Sequence, residues 1–230
     1  MAADAGVPAK GGPDRDMPPQ QQQGHKWFAA VYDRLMSSAE RSFMKGVREE
    51  IAGGASGRVL ELGAGTGANF AYYGASAQEL FAIEPDPYML ERAQNRAGES
   101  ARPIDLRQAS AEAIPFEDAS FDTVVSTLVM CSVGDPLRAL SEARRVLKPS
   151  GTLRLYDHVR YDHAFGAFWQ DLIAPAWRWF GAGCNPNRDI AALVREAGVE
   201  FEQLELMKPV PPIPPMVFTR PHIKGIAARV

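Results

Sequence analysis

A chain of 230 residues that is 46% apolar and 23% charged has the composition of one globular domain with a core of its own. A formal net charge of −3 provides no basic surface for nucleic acid, so we predict no nucleic-acid partner. The two cysteines, Cys131 and Cys184, are too few for a disulfide framework and lack metal-ligand spacing, so we predict no metal. With no signal peptide and no apolar run of about 18 residues, the chain is predicted to be cytoplasmic.

The first part of the chain differs in composition from the rest. Residues 1–25 are rich in Gly, Pro, Gln and Asp, which predicts a disordered tail. We interpret 26–230 as a single domain. It is predicted to begin with an amphipathic helix over 27–36, where apolar residues recur at spacings of three and four.

Strand and helix patterns then alternate. This alternation predicts an α/β fold, an open and mostly parallel Rossmann-like sheet with helices on both faces. In such sheets ligands bind at the carboxyl ends of the strands. The predicted strands cover 58–62, 80–84, 104–109, 121–130, 152–158 and 222–230, and the predicted helices begin near 68 or cover 87–96 and 137–147.

A glycine-rich loop, 63–67, follows the first predicted strand. Its alternating glycines allow a sharp turn and the close approach of a ligand. Glu84 ends the next strand and suits the ribose hydroxyls of either a dinucleotide or another adenosyl ligand. Glu61 distinguishes between these two ligands. A carboxylate is repelled by the pyrophosphate of a dinucleotide but attracted by the ammonium group of an amino acid. The loop therefore favours an adenosyl sulfonium amino acid, with a dinucleotide-dependent reductase as an alternative.

From about 45 to 160 the chain resembles the class I S-adenosylmethionine-dependent methyltransferases. The resemblance is carried by Glu-Leu-Gly-Ala-Gly-Thr-Gly (61–67), Ala-Ile-Glu-Pro-Asp (82–86), Ala-Ser-Ala-Glu-Ala-Ile-Pro-Phe (109–116), Ser-Phe-Asp-Thr-Val-Val (120–125) and Arg-Arg-Val-Leu-Lys-Pro-Ser-Gly (144–151). It implies S-adenosylmethionine as cofactor and a seven-stranded sheet with an antiparallel last strand.

The same resemblance implies a set of cofactor-binding residues. Glu61 and the glycine loop would hold the methionine portion, Glu84 the ribose, and Ala111 with Glu112 the adenine. Leu128, near the end of the fourth strand, would border the point of methyl transfer. The full set is Glu61, Gly63, Ala64, Gly65, Gly67, Asn69, Glu84, Pro85, Ala111, Glu112 and Leu128.

Almost the whole chain after residue 27 is similar to the methyltransferase-like thiol S-methyltransferases and their bacterial relatives. The similarity rests on Cys-Ser-Val (131–133), Asp-His-Val (157–159), the Trp-rich segment 168–180, Gly-Cys-Asn (183–185) with Arg188, and Pro-His-Ile-Lys-Gly (221–225). It implies S-methylation of an apolar small-molecule thiol by in-line transfer. Animal members have an apolar anchor at the N-terminus, where this chain has a polar tail, so we predict no membrane anchor.

Two histidines are the candidates for a catalytic role, since a thiol must become a thiolate to attack and a base assists this. His158 ends the fifth predicted strand, and His222 lies in the late Pro-His-Ile segment. The alternative for each is a structural histidine. Cys131 is interpreted as a packing residue, and Cys184 is given no covalent role.

Two segments are predicted to lie on the acceptor side, 160–190 as a lid and 208–222 as a loop. The first contains apolar residues at helical spacing that either pack on the sheet or cover the acceptor: Phe165, Phe168, Trp169, Ile173, Trp177 and Phe180. N-, C- or O-methylation of a phospholipid head group, quinone or phenol is the alternative activity. A non-catalytic cofactor-binding subunit is a further alternative.

Overall fold

A computed structural model describes residues 43–181, 183–210 and 216–230. The predicted tail and the helix predicted over 27–36 lie outside the described residues. The strands are β1 (Gly57–Leu62), β2 (Ala77–Ile83), β3 (Ile104–Arg107), β4 (Phe121–Thr127), β5 (Leu147–His158), β6 (Val199–Met207) and β7 (His222–Arg229). The helices are α1 (Lys45–Ile51), α2 (Pro87–Glu99), α3 (Pro136–Val146), α4 (Ala164–Phe180) and α5 (Ile190–Glu196), with 3₁₀ turns at Phe70–Tyr72 and Met216–Thr219.

The seven strands form one sheet in the order β3-β2-β1-β4-β5-β7-β6. Neighbours from β3 to β5 are parallel, and β7 is antiparallel to both β5 and β6. This confirms the predicted fold class, including the antiparallel last strand. Because the strand order reverses between β1 and β4, a crevice opens at their carboxyl ends, where open α/β sheets bind ligands.

The sheet is covered on both faces. Consecutive residues of a strand point to opposite faces, and Val124 and Val125 of β4 belong to different clusters of buried side chains. The cluster of Val124 includes Leu140 of α3, whereas that of Val125 includes Ile51 of α1. The sheet is therefore held between helices, which leaves its strand ends for the site.

The prediction of a helix that begins near residue 68 is wrong. The chain makes only a 3₁₀ turn, Phe70–Tyr72, before β2 begins at Ala77. Too few residues separate the glycine loop from β2 for an α-helix and a return connection. The loop is held instead by the last turn of α2, where Arg96 donates to the carbonyl and hydroxyl oxygens of Thr66 at 3.0 and 2.7 Å.

Among the described residues, no helix has both the length and the apolar character that crossing a membrane requires.

Candidate active site

The glycine loop is built from left-handed backbone conformations. Gly63, Gly65 and Gly67 have φ of 57°, 57° and 80°, which glycine adopts without steric cost. A Cβ added at Gly63 would lie 2.8 Å from Val129, whereas one added at Gly65 would meet nothing within 4 Å. The loop therefore packs against the chain after β4 at Gly63 and borders open space at Gly65.

Glu84 directly follows β2 and lies beside the open space at Gly65. Its Oε2 accepts from the Gly65 amide at 2.8 Å, and its Oε1 accepts from the Asp86 amide at 2.9 Å. Burial raises its pKa to about 7, although the two amide hydrogen bonds oppose the rise. Each carboxylate oxygen has a second lone pair. Glu84 can thus accept from ligand hydroxyls while it stays bound to the loop.

Glu61 lies in a buried hydrogen-bond network. Its carboxylate accepts from Asn69 Nδ2 and from the Tyr73 hydroxyl, both at 2.9 Å. Asn69 also donates to Thr127 Oγ1 at 3.1 Å and accepts from Arg48 at 2.5 Å. Burial raises the Glu61 pKa to about 7. Since both amide hydrogens and the oxygen of Asn69 already have partners, we interpret Asn69 as a residue that positions Glu61.

The predicted adenine residues lie on the loop after β3. Ala111 is buried in the core cluster of β4. The Glu112 carboxylate accepts from Ser110 Oγ at 2.9 Å and from the Asp135 amide at 2.5 Å. Glu112 thereby ties its loop to the start of α3. Contact of this loop with adenine stays a prediction.

Strand β4 ends three residues earlier than predicted, because Leu128 turns into the left-handed region with φ of 59°. Its amide donates to the Tyr156 carbonyl at 2.8 Å. A non-glycine residue in this conformation costs roughly 1–2 kcal/mol. Such strain is most frequent at functional sites, and here it lies beside the crevice between β1 and β4.

The strain at Leu128 can be measured. We expect Leu128→Val to lower the free energy of unfolding by about 1–2 kcal/mol more than Leu106→Val, because a β-branched side chain tolerates positive φ least. Leu106 is a matched control, since it is also half-buried against the same cluster but lies in β3. Urea unfolding of both variants measures the difference. Equal losses would show that Leu128 is unstrained.

His158 and His222, the two candidate catalytic residues, are brought together by the sheet. They are cross-strand partners in β5 and β7, with ring centroids 5.7 Å apart. His222 stacks on Tyr156 at 5.1 Å, and its Nδ1 donates to the Arg220 carbonyl at 3.0 Å. Burial lowers the His222 pKa to about 4. His222 is therefore neutral at pH 7 but a weak base for a thiol.

His158 faces sulfur rather than solvent. Its Nε2 lies 2.9 Å from Cys184 Sγ, and its Nδ1 lies 3.8 Å from Oδ1 of the fully buried Asp157. Trp177 of α4 donates its indole N–H to the same sulfur at 3.2 Å. Hydrogen bonding from Cys131, together with the charge and hydrogen bond of His158, holds the Cys184 pKa well below its usual range, against the effect of burial.

The Cys–His cluster, by which we mean Cys131, His158 and Cys184, was not indicated by the sequence. Its three ligand-type atoms lie within 4.8 Å of one another and all three residues are buried. The three residues are far apart in the sequence and lack the short spacings typical of metal ligands. The fold instead brings these distant residues together near the carboxyl ends of β4 and β5, so Cys131 is more than the packing residue predicted from the sequence.

Helix α4 covers this cluster on one side. Gln170, which sequence reasoning missed, is fully buried and donates to the carbonyls of Val159, Pro186 and Phe218. Its carbonyl oxygen accepts from the Tyr161 amide at 2.7 Å. A polar residue within an aromatic segment is the signal that could have identified it. Gln170 thus connects α4 by hydrogen bonds to the residue that follows β5.

The apolar stripe predicted for this segment is divided. Trp177 points to Cys184, while Phe165 and Phe168 are 74% and 60% exposed. Those two residues do not pack on the sheet. Arg188, noted in the sequence, donates to the Met130 carbonyl at 2.6 Å and so holds the loop that carries Cys131. The Pro-rich residues 211–215 lie outside the described part of the chain.

Comparison with known proteins accords with this geometry. A family model described as a methyltransferase domain matches residues 60–155. A putative methyltransferase of Bacillus halodurans superposes with a TM-score of 0.65 at 19% identity, over 82% of this chain and 99% of that one. The open space at Gly65 and the buried carboxylate of Glu84 fit an adenosyl ligand. The fold and the site thus define an S-adenosylmethionine-dependent methyltransferase.

Two relatives that are similar over most of their length identify the family within this class more closely. Human thiol S-methyltransferase TMT1B is 34% identical over 86% of this chain and 81% of its own length. Human thiol S-methyltransferase TMT1A is 32% identical over 88% and 83%. The chain belongs to the family of these two proteins, as its resemblance had indicated.

The raised pKa values of Glu61 and Glu84 predict proton release when the cofactor binds. At pH 6.5 both carboxyls are largely protonated in the free enzyme, and a ligand with an ammonium and a sulfonium favours their ionised forms. We expect release of about 0.5–1 proton at pH 6.5. At pH 8.5 both groups are already ionised, so almost none should be released.

Calorimetric titration with S-adenosylmethionine in buffers of different ionisation enthalpy measures this release. In Glu61→Gln the release should fall, while Arg48 and Tyr73 still surround the site. Equal proton release at pH 6.5 and 8.5 would contradict the assignment.

Proposed function

We propose that this enzyme S-methylates an apolar small-molecule thiol. The proposal is carried by one observation: at the carboxyl end of β5 the chain surrounds the buried sulfur of Cys184 with nitrogen groups, His158 Nε2 at 2.9 Å and Trp177 Nε1 at 3.2 Å. These groups favour the thiolate form of Cys184, and a region that stabilises anionic sulfur would also favour an acceptor thiol in its anionic, nucleophilic form. The two relatives named thiol S-methyltransferases, similar over most of their length, support the same acceptor class.

On the cofactor side, the buried residues bind and orient. We assign the ribose to Glu84 and Pro85, the methionine portion to Glu61 and the loop 63–67, and the adenine to Ala111 and Glu112. Bound S-adenosylmethionine supplies a methyl group made electrophilic by its sulfonium. Leu128, fixed by its strained backbone, would form the wall between this group and the acceptor.

On the acceptor side, the cluster and α4 have separate tasks. We assign His158 to the stabilisation of anionic sulfur in this region through its contact with Cys184, and His222 to the support of Tyr156 and β5 rather than to proton transfer. Helix α4 carries Trp177 on its inner side and exposed Phe165 and Phe168 on its outer side. Apolar cover at this place would favour apolar acceptors and exclude water from the donor.

The test is a matched panel of acceptors. Purified enzyme and S-adenosylmethionine are incubated with alkyl and aryl thiols and with the alcohols, phenols and amines of the same carbon skeleton, and products are measured by mass spectrometry. We expect methylation of thiols at rates at least about 100-fold above their oxygen analogues, because the thiolate forms near pH 8.5 and is the stronger nucleophile. Preferential methylation of a phenol, a quinone or a phospholipid head group would overturn the proposal.

Four statements from the sequence stay predictions: a cytoplasmic location, a disordered tail, no membrane anchor and no nucleic-acid partner.

A further inference from the structure

The Cys–His cluster has the composition of a metal site. Its Sγ, Nε2 and Sγ atoms come from the loop after β4, the end of β5 and the loop after α4. All three lie within 4.8 Å of one another, and His158 Nε2 and Cys184 Sγ are 2.9 Å apart. In a tetrahedral zinc site, with bonds near 2.0–2.3 Å, ligand atoms lie roughly 3.5–3.8 Å apart. The observed separations, from 2.9 Å to at most 4.8 Å, bracket these values.

We propose that Cys131, His158 and Cys184 bind one thiophilic divalent cation of the zinc class, with a fourth position open to the acceptor's sulfur. Two thiolates and an imidazole are ligands that zinc prefers. A set of three protein ligands is typical of catalytic rather than structural zinc sites. The assignment of the fourth position rests on the proposed thiol methylation, whereas the cation site itself does not.

The surroundings of the three ligands are those of a supported metal site. Asp157 is fully buried, and its Oδ1 lies 3.8 Å from the His158 nitrogen that faces away from the sulfurs. The Asp157 carboxylate accepts from the backbone amides of His158 and Cys131 at 2.9 and 3.3 Å, so it holds the backbone of two of the three ligands. Carboxylates that support ligating residues in this way are frequent around metal sites. Trp177 donates to the Cys184 sulfur at 3.2 Å, and Ser132 Oγ lies 3.3 Å from the Cys131 sulfur.

The charges of the region also accord with a dication. Two thiolates and the Asp157 carboxylate would bring three negative charges into a buried volume. Arg188, held against the Met130 carbonyl, supplies one positive charge next to this group. A divalent cation would offset the remaining negative charge, and buried charges need such partners.

The cation would then activate the acceptor by coordination. On binding at the open position, the thiol would lose its proton to solvent and remain as a bound thiolate. The acceptor's sulfur would form the new bond to carbon with its own electron pair, while the bond from carbon to the donor's sulfur breaks and leaves its pair there. The neutral thioether formed is a weak metal ligand, so the product can leave.

Cobalt titration of the full chain tests the site without any acceptor. Protein is treated with a chelator under reducing conditions, and Co²⁺ is then added. We expect saturation at one equivalent, with intense thiolate-to-cobalt absorption in the near ultraviolet and loss of that absorption when Zn²⁺ is added.

Variants assign the ligands. Cys131→Ser, Cys184→Ser and His158→Asn should each weaken cobalt binding by at least about 100-fold, and Asp157→Asn by about 10- to 100-fold. The matched control is His163→Asn, since His163 caps α4 outside the cluster and asparagine caps equally well. The same affinity in the control and in the cysteine variants would overturn the site.

The two proposals fail separately. If the cation binds but no thiol is methylated, the metal site stands and the proposed function falls. If chelator-treated, metal-free protein methylates thiols at an undiminished rate, the proposed function stands and the role of the cation in it is overturned.

Discussion

Replacing Glu84 with glutamine is expected to weaken S-adenosylmethionine binding by on the order of 100- to 1,000-fold. The Glu84 carboxylate accepts from the amides of Gly65 and Asp86. An amide side chain would turn a donor toward one of these N–H groups and remove the charge assigned to the ribose. Hydrogen bonds to charged groups contribute about 1.5–3 kcal/mol each, and one or two of them would be lost.

The measurement is calorimetric titration of Glu84→Gln with S-adenosylmethionine. Glu79→Gln is the matched control, because Glu79 is an exposed carboxylate on the same strand, β2. Thermal unfolding of the free variant separates a lost ligand contact from a lost fold. A dissociation constant within twofold of the wild type would remove Glu84 from the cofactor site.

The second large effect is expected at His158. His158→Asn should reduce kcat for thiol methylation by about 100- to 1,000-fold, the range typical of a group that sets the ionisation of a reacting atom. Its Nε2 contacts Cys184 Sγ, and the glycine loop and Glu84 lie elsewhere in the crevice. The dissociation constant for S-adenosylmethionine should therefore change by less than about threefold.

Steady-state kinetics of His158→Asn and His158→Gln, with His163→Asn as control, measure this effect. The control should retain its kcat, because asparagine preserves the N-cap that His163 provides to the Gly166 amide. If both His158 variants are stable and keep their kcat, His158 is a structural residue of β5 and the acceptor assignment is wrong.

Several elements could be predicted from local sequence because their causes are local. Strand β1 and the loop 63–67 follow from a short apolar run and from glycines that alone adopt the required positive φ. Helix α2 begins where predicted, since Pro87 occupies its first turn and Asp86 caps it. The strand–helix alternation identified the sheet, and the motifs identified the cofactor and the family.

Other predictions failed where the neighbouring structure, rather than the local sequence pattern, decides where an element begins or ends. The helix near residue 68 is replaced by a 3₁₀ turn because β2 begins so soon afterwards. Strand β4 ends at Thr127 although apolar residues continue, since Leu128 has to turn beside the crevice. An apolar run indicates burial but not the residue at which a strand must end.

The sequence by itself determined the α/β fold, the methyltransferase class and the acidic residues at the ends of β1 and β2. Only the tertiary structure decided that His158 pairs with His222, that Asn69 is bound to Glu61 and Arg48, and that two cysteines meet one histidine. The physical reason is distance along the chain. Backbone conformation and amphipathic patterning act over a few residues, whereas this cluster exists because parallel strands deliver distant residues to one edge of the sheet.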